Sequence, residues 1–175
     1  MTRGPELDVE RLLAALTGHG VDYVVVGGIA GVLWGSSRNT FDLDICPATD
    51  GGNLEALGKA LVQLEARLRR VDDELVFVPD ERLLANVELL TLDTNAGPLD
   101  VLMRPGDAPG YERLRRAATR LDVGGFSVLV ASIEDLIAMK RAAGRPKDEL
   151  DVEELEAIRQ LAQRRERRPS PKRDA

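Results

Sequence analysis

Short β-forming runs alternate with helical repeats along the chain, and this alternation constrains the fold more than any other feature. Residues 23–26 are four consecutive apolar side chains, too few for a helix, and the Gly27-Gly28 pair ends them abruptly. In contrast, apolar residues recur every three to four positions over residues 54–68, which is the period of an amphipathic helix. Strands and helices intermixed in this way predict an α+β or mixed α/β domain with one central sheet.

Caps, turns and periodicity predict the remaining elements. We expect a helix capped by Asp8 that ends near residue 18, further helices at 29–35, 111–117, 133–143 and 148–165, and strands at 41–46, 75–78, 87–92, 99–103, 119–123 and 126–130. A turn at 95–97 joins two of these strands as a hairpin, and glycines at 124–125 make the last two a second hairpin or one bent strand. The expected architecture is a mixed sheet flanked by helices, with helices at its C-terminal end.

The scarcity of two residue types excludes several kinds of chemistry. The 175 residues include one cysteine, Cys46, and one histidine, His19, so an intrachain disulfide is excluded and a structural zinc site lacks ligands. Because His19 lies between two glycines in a helix-ending turn, we assign it no role in a nucleophile triad. Chemistry is left to carboxylates, lysine, arginine, hydroxyls, backbone amides or a hard metal ion.

Charge is distributed unevenly along the chain. The net charge is −6, but the last twelve residues carry six basic and two acidic side chains, which leaves about −10 on residues 1–163. An acidic body is not the surface of a general DNA-coating protein. We expect a single domain over 1–165 and a disordered basic tail over 166–175, although the tail charges could instead attract nucleic acid.

The hydropathy pattern predicts no association with a membrane. The sequence holds no run of 18 or more apolar residues, and its first residues lack a basic region followed by an apolar core. We therefore expect a soluble, cytoplasmic protein.

Two aspartates, Asp42 and Asp44, interrupt the apolar residues of the predicted strand at 41–46. Their i, i+2 spacing directs both carboxylates to one face of the sheet. Two like charges on a half-buried strand repel each other and are costly to desolvate, an arrangement that a divalent cation stabilises. Mg²⁺ suits such a site because it binds carboxylates, water and phosphate oxygens. The alternative is that both aspartates are unrelated acids on an exposed face.

Three further features favour a phosphate and metal site. Gly27 and Gly28 let backbone amides approach a phosphate closely at the start of a helix, where the dipole also favours an anion. Arg38 lies in a polar stretch just before the aspartate strand and can contact phosphate oxygens. Asp100 lies in a later apolar strand, and a neighbouring position in the sheet would bring it beside the pair. Three carboxylates on one face can hold two Mg²⁺ ions and deprotonate an acceptor hydroxyl.

Two common nucleotide-binding patterns do not fit. The glycines follow a strand and open a helix, but residues 27–31 do not match Gly-x-Gly-x-x-Gly, and the acidic residues that follow are in the wrong place. No Gly-Lys-Ser/Thr sequence is present, so the chain has no P-loop.

The combination of motifs resembles the nucleotidyltransferase superfamily that includes DNA polymerase β. The resemblance rests on Gly27-Gly28, thirteen intervening residues, the Asp42-Leu43-Asp44 motif and the later Asp100. The sequence between Gly27 and Asp44 is similar to small bacterial nucleotidyltransferase-like proteins related to abortive-infection and toxin–antitoxin toxins, as is the stretch at 135–148. These patches span residues 23–151, with no motif over 50–85.

The resemblance implies a reaction in which an NTP loses pyrophosphate as its nucleotide passes to an acceptor hydroxyl. The acceptor is an RNA 3′ end, a protein or a small molecule. By the same resemblance, the catalytic and metal-ligating residues are Asp42, Asp44 and Asp100, with Mg²⁺ or Mn²⁺ as cofactor. The implied nucleotide-binding residues are Gly27, Gly28, Arg38, Thr40 and Lys140, and Asp148 is expected near the site. Many superfamily members have serine where this chain has Gly28, although a glycine pair is usual in the toxin-like group.

The resemblance also implies a protein partner, and it leaves open one alternative to the enzymatic function. A toxin-type component has an antitoxin protein as its partner, and no membrane is involved. The alternative is a catalytically inactive nucleotide-binding or protein-interaction module of the same fold, which the small size of the chain favours. For Lys140 and Asp148 the simpler interpretations are a solvated helix face and a helix N-cap.

Overall fold

A seven-stranded mixed sheet organises the part of the chain that the structure, a computed structural model, describes: residues 5–70, 77–104 and 106–166. The strands are β1 (Tyr23–Val26), β2 (Leu43–Pro47), β3 (Arg67–Leu68), β4 (Leu89–Thr94), β5 (Gly97–Leu102), β6 (Thr119–Val123) and β7 (Phe126–Val130). The helices are α1 (Val9–Gly18), α2 (Gly27–Leu33), α3 (Gly51–Gln63), α4 (Glu81–Leu84), α5 (Tyr111–Ala117), α6 (Ile133–Ala143) and α7 (Pro146–Glu166). The predicted mixed sheet flanked by helices is confirmed.

Both parallel and antiparallel pairs occur in the sheet, whose order is β3-β4-β5-β2-β1-β7-β6. The β4–β5 and β6–β7 pairs are antiparallel hairpins, so the second pair is a hairpin rather than one bent strand. Strand β2 lies between β1, which is antiparallel to it, and β5, which is parallel to it. The strand that carries the aspartate motif is therefore at the centre of the sheet.

Alternation along β2 and β5 separates the core face of the sheet from the functional face. Leu43, Ile45 and Leu99 are fully buried in the main apolar cluster, which also contains leucines from α1 and α3. Asp44 and Asp100 occupy the intervening positions and are only partly buried. Because successive side chains of a strand point to opposite faces, the two carboxylates lie on the face away from this core.

The predicted strand at 41–46 is wrong at its start. Strand β2 begins at Leu43, so Phe41 and Asp42 precede it, and the Phe41 side chain is 77% exposed instead of packing beside Leu43. The apolar-polar alternation continues two residues beyond the sheet pairing, which ends at the register pair of Leu43 with Leu99. Alternation alone therefore overestimated the length of the strand.

The predicted helix at 54–68 is displaced toward the N-terminus. Helix α3 begins at Gly51, because Asp50 caps it by accepting a hydrogen bond from the Asn53 N–H at 3.1 Å. It ends at Gln63, and Glu65 then adopts a left-handed conformation with φ of 51°. The leucine spacing continues through this turn into β3, which explains why periodicity alone extended the helix to residue 68.

Other boundaries differ by two residues. Helix α2 begins at 27 rather than 29, β4 covers 89–94 rather than 87–92, and α7 begins at 146 rather than 148. Residues 75 and 76 of the predicted strand at 75–78 lie outside the described residues, and residues 77 and 78 are not in a strand. Helix α7 continues to residue 166, and the rest of the predicted tail is outside the described residues. None of the described helices combines the length and apolarity needed to cross a membrane.

A buried amide joins the two central strands at the end remote from the aspartates. The Asn53 side chain accepts a hydrogen bond from the Asp22 N–H at 2.7 Å and donates to the Asp22 and Ala48 carbonyls at 2.9 and 2.8 Å. Asp22 precedes β1 and Ala48 follows β2, so one side chain satisfies backbone groups at the ends of both strands.

We expect Asn53→Ala to lower the free energy of unfolding by about 2–4 kcal/mol, because it removes three hydrogen bonds, including the buried one to the Ala48 carbonyl. Chemical denaturation measures this change. Asn86→Ala is the control, since Asn86 is exposed and donates one hydrogen bond to the Arg82 carbonyl within the same turn. Equal losses of stability in the two variants would show that Asn53 does not have this bridging role.

Candidate active site

A cleft of about 700 Å³ opens on the face of β2 and β5 that is opposite the main core. Helix α2, the segment that follows it and helices α6 and α7 supply the other walls. Every residue that the sequence singled out as catalytic or nucleotide-binding lines this cleft: Gly27, Gly28, Arg38, Thr40, Asp42, Asp44, Asp100 and Lys140. The fold thus brings together residues that are more than 100 positions apart in the sequence.

The three aspartates influence one another within the cleft. In the parallel register of β2 and β5, Asp44 lies directly opposite Asp100, and Asp42 precedes the strand by one residue. Burial, followed by the charges of Asp42 and Asp100, raises the pKa of Asp44 from 3.8 to about 7. Lys140 and a hydrogen bond from the Gly28 N–H oppose this rise without cancelling it. The carboxylates are therefore crowded to a degree that an added cation would relieve.

The glycine pair leaves space for the side chains of Asp44 and Thr40. Gly27 has φ of 63°, and a Cβ at this position would overlap the Asp44 carboxylate. A Cβ on Gly28 would lie 2.5 Å from Thr40 Oγ1, which is too close for unbonded atoms. Since the Gly28 N–H already donates to Asp44, the pair has an immediate structural function besides the phosphate contact that the sequence suggested.

Thr40 holds Asp42 at the entrance to β2. Its hydroxyl lies 3.2 Å from the Asp42 carbonyl and 3.3 Å from Asp42 Oδ1, so it can donate to either oxygen. Thr40 was singled out only through the resemblance, and the structure places it between the glycine pair and the first aspartate.

Arg69 is a residue of this face that the sequence did not indicate. It follows β3 and crosses β4, donating to Asp93 Oδ1 at 3.1 Å and to the Leu92 carbonyl at 2.9 Å. Its Nη2 atom lies 3.0 Å from Asp100 Oδ1. That buried oxygen nevertheless accepts no hydrogen bond of good geometry from the described residues. Burial raises the pKa of Asp100, while the charge of Arg69 acts in the opposite direction.

Three basic residues of the cleft, Arg38, Lys140 and Arg145, are paired with acids from α7. Lys140 Nζ lies 2.6 Å from Asp151 Oδ2 and 3.3 Å from Asp148 Oδ1. Arg38 also forms an ion pair with Asp151, and Arg145 donates to both Asp148 oxygens, at 2.7 and 3.2 Å. Burial acts to raise the pKa of Asp148, but hydrogen bonds from Arg145 and Lys140 outweigh it and lower the pKa. The N-cap interpretation of Asp148 is wrong, because α7 begins at Pro146 and Asp148 lies inside it. Asp148 belongs instead to a charge network with Lys140 and Arg145.

The carboxylate oxygens of the cleft are suitable ligands for a hard metal ion that binds together with a substrate phosphate. Among the described residues, no group of three or more His, Cys, Asp or Glu side chains forms a metal site by itself. Mg²⁺ does not need such a group, because it is commonly held by one or two carboxylates together with water and substrate phosphates. The raised pKa of Asp44 fits such a cation, whose charge would offset the repulsion among the carboxylates.

Solved structures with the same fold are nucleotidyltransferases. The lincosamide antibiotic adenylyltransferase LnuA, with lincomycin bound, has a TM-score of 0.58 and 16% identity over 88% of this chain and 99% of its own. The antibiotic-resistance factor ANT(2″)-Ia in complex with adenylyl-2″-tobramycin has a TM-score of 0.52 and 17% identity over 90% of this chain and 95% of its own.

A third similar structure is nucleotidyltransferase-like. An antigenic nucleotidyltransferase-like protein from Paracoccidioides brasiliensis has a TM-score of 0.51 and 20% identity over 90% of this chain and 79% of its own. No protein-family model and no curated protein sequence matches the chain. At these identities the comparisons establish the fold alone: the chain has the nucleotidyltransferase fold.

The pKa of Asp44 predicts how stability depends on pH. Because the folded state binds a proton at Asp44 up to pH of about 7 and the unfolded state only up to about 3.8, the contribution of Asp44 to the free energy of unfolding should fall as pH rises between these values. Asp44→Asn removes this decline, so above pH 7 we expect it to be more stable than wild type, by on the order of 2 kcal/mol.

Denaturation in EDTA at pH 5 and pH 8 measures the effect. Asp107→Asn is the control, since Asp107 is exposed at the edge of the same cleft and should follow the wild-type pH dependence. A wild-type stability that does not decrease between pH 5 and pH 8 relative to Asp44→Asn contradicts the crowding of the aspartates.

Proposed function

We propose that the chain is a Mg²⁺-dependent nucleotidyltransferase that moves a nucleotide from an NTP to an acceptor hydroxyl. The observation that carries the proposal is the meeting of Asp42, Asp44 and Asp100 beside the glycine pair in one cleft. The fold that the chain has in common with nucleotidyltransferases supports it independently.

The aspartates are proposed to hold the cation through Asp42 and Asp44, with Asp100 as a third ligand. Mn²⁺ can replace Mg²⁺, because both are hard ions that bind carboxylate oxygens. The bound ion supplies charge neutralisation for the triphosphate and a fixed orientation of the reacting phosphate. Without it, the raised pKa of Asp44 leaves part of this cluster protonated at neutral pH.

The remaining residues bind and orient the nucleotide in this proposal. Arg38 and Lys140 line the cleft and are both bound to Asp151, so an incoming triphosphate competes with that carboxylate for them. Gly27 and Gly28 keep the α2 end of the cleft free of side chains, and Thr40 fixes Asp42. Most of the rate then comes from positioning and charge stabilisation.

Asp100 is proposed to accept the proton of the acceptor hydroxyl. The acceptor oxygen forms a bond to the α-phosphorus, the bond between this phosphorus and the bridging oxygen breaks, and pyrophosphate leaves. Asp100 suits this role because it lines the cleft opposite Asp44 and because burial raises the pKa of its carboxyl. Arg69 would hold its position during the transfer.

Two observations favour one class of acceptor over the others: the molecules bound to similar structures and the net charge of this chain. LnuA and ANT(2″)-Ia carry antibiotics in their structures, which favours a small-molecule hydroxyl. The acidic body of this chain does not favour a large RNA footprint. An RNA 3′ end or a protein hydroxyl would accompany the toxin-type role, with an antitoxin as partner, that the local motifs imply.

Transfer of label from radioactive NTPs tests the proposal. With Mn²⁺ or Mg²⁺ and a cell extract as the source of acceptors, we expect wild type to label an acceptor. Asp42→Asn and Asp100→Asn should reduce the rate at least about a hundredfold, because each removes a charge at the reacting centre. Glu149→Gln, an exposed acid of α7, is the matched control and should retain the wild-type rate.

The same experiment separates the competing possibilities. Label in the small-molecule fraction supports the preferred acceptor, whereas label in RNA or protein supports the toxin-type role. If wild type binds NTP but labels nothing in any fraction, the chain is an inactive nucleotide-binding module and the proposed activity is wrong.

A further inference from the structure

Helix α7 carries three acids at three-residue intervals, and the middle one, Asp151, lines the cleft. Asp148, Asp151 and Glu154 lie on one side of the helix, because residues three apart are neighbours on a helical surface. The first two form ion pairs with the basic side chains of Arg38 and Lys140. Glu154 instead contacts residues 36–42, which connect α2 to β2 and are called the connecting segment below.

Glu154 accepts three hydrogen bonds from the start of the connecting segment. Its Oε1 accepts from the Ser37 N–H at 2.8 Å and from the Ser37 hydroxyl at 2.9 Å, and its Oε2 accepts from the Ser36 hydroxyl at 2.8 Å. Hydrogen bonds to an ionised acceptor are about twice as strong as neutral ones. They lower the pKa of Glu154, the Ser37 N–H having the largest effect.

The connecting segment needs such an anchor. None of its seven residues, all of which the structure describes, lies in a helix or a strand. It nevertheless supplies Arg38, Thr40 and Asp42 to the cleft. Without regular hydrogen bonding, the positions of these side chains depend on contacts with other elements. Helix α7 supplies three of them, through the Lys147 carbonyl, Asp151 and Glu154. The Ser36 N–H also donates to the Gly31 carbonyl of α2 at 2.9 Å.

We propose that Glu154 is a positioning residue of the nucleotide site. It touches neither the aspartates nor the proposed phosphate contacts, and it acts by holding Ser36 and Ser37 so that the rest of the connecting segment is placed correctly in the cleft. The nucleotide part of this inference rests on the proposed function, whereas the anchoring of the segment does not.

Three variants of the full chain test the proposal. Glu154→Ala removes all three acceptors, and Glu154→Gln retains one carbonyl oxygen that can accept from Ser37. Glu153→Ala is the matched control, because Glu153 is an exposed acid on the neighbouring position of the same helix. All measurements are made at a temperature at which the thermal melts show every variant to be folded.

The first readout needs no nucleotide. Amide hydrogen exchange at Ser37 should accelerate by about tenfold or more in Glu154→Ala, because its N–H loses its acceptor. Glu154→Gln should lie between Glu154→Ala and wild type, and Glu153→Ala should match wild type. Unchanged exchange at Ser37 in Glu154→Ala overturns the proposal, whatever the chain binds.

The second readout is the dissociation constant for ATP in the presence of Mg²⁺ and without acceptor. We expect Glu154→Ala to weaken binding by about tenfold, equivalent to about 1.4 kcal/mol, with partial rescue in Glu154→Gln and no change in Glu153→Ala. Faster exchange at Ser37 with unaltered ATP affinity would show that the anchor has no part in nucleotide binding. If wild type itself binds no ATP, the proposed function is wrong, and exchange at Ser37 still decides whether Glu154 anchors the segment.

Discussion

The close approach of Asp44 to its neighbours is the constraint on which the site depends. The carboxylate lies against the backbone of Gly27, accepts from the Gly28 N–H and faces Asp100 across two parallel strands. Burial and repulsion together raise its pKa to about 7, so this arrangement costs stability in the absence of a counterion. The core on the other face of the sheet, filled by leucines from α1 and α3, supplies the free energy that maintains it.

The residues of the site are held in two different ways, some by the sheet and others by contacts of an irregular segment with α7. The sheet fixes Asp44 and Asp100 through register, which is rigid because one face of each strand is buried. Arg38, Thr40 and Asp42 come instead from an irregular segment, whose placement depends on α7. A C-terminal helix far from the motif in sequence thus contributes to the geometry of the motif itself.

The sequence predicted the parts of the site that depend on local pattern. Alternation predicted that Asp42 and Asp44 share one face of a strand and that Asp100 lies opposite its apolar neighbours, and the resemblance supplied Lys140. The strand order, which sets Asp44 opposite Asp100, came only from the structure. Arg69 could not be found in this way, because the two-residue strand before it lies where the helical leucine period continues. Glu154 could not be found from the sequence either, because its partners are 117 and 118 positions away and it is one of several acids on a charged helix.

Binding of a divalent cation tests the central claim, that these crowded carboxylates form a hard-cation site. Mn²⁺ is titrated by calorimetry into wild type and Asp42→Asn, each in the presence of a non-hydrolysable ATP analogue. The measured heats are corrected for the binding of Mn²⁺ to the analogue alone. The account predicts a saturable Mn²⁺ site in wild type that is weakened by at least about tenfold in Asp42→Asn, since one of its few carboxylate ligands is lost. Identical titrations for the two proteins would contradict it.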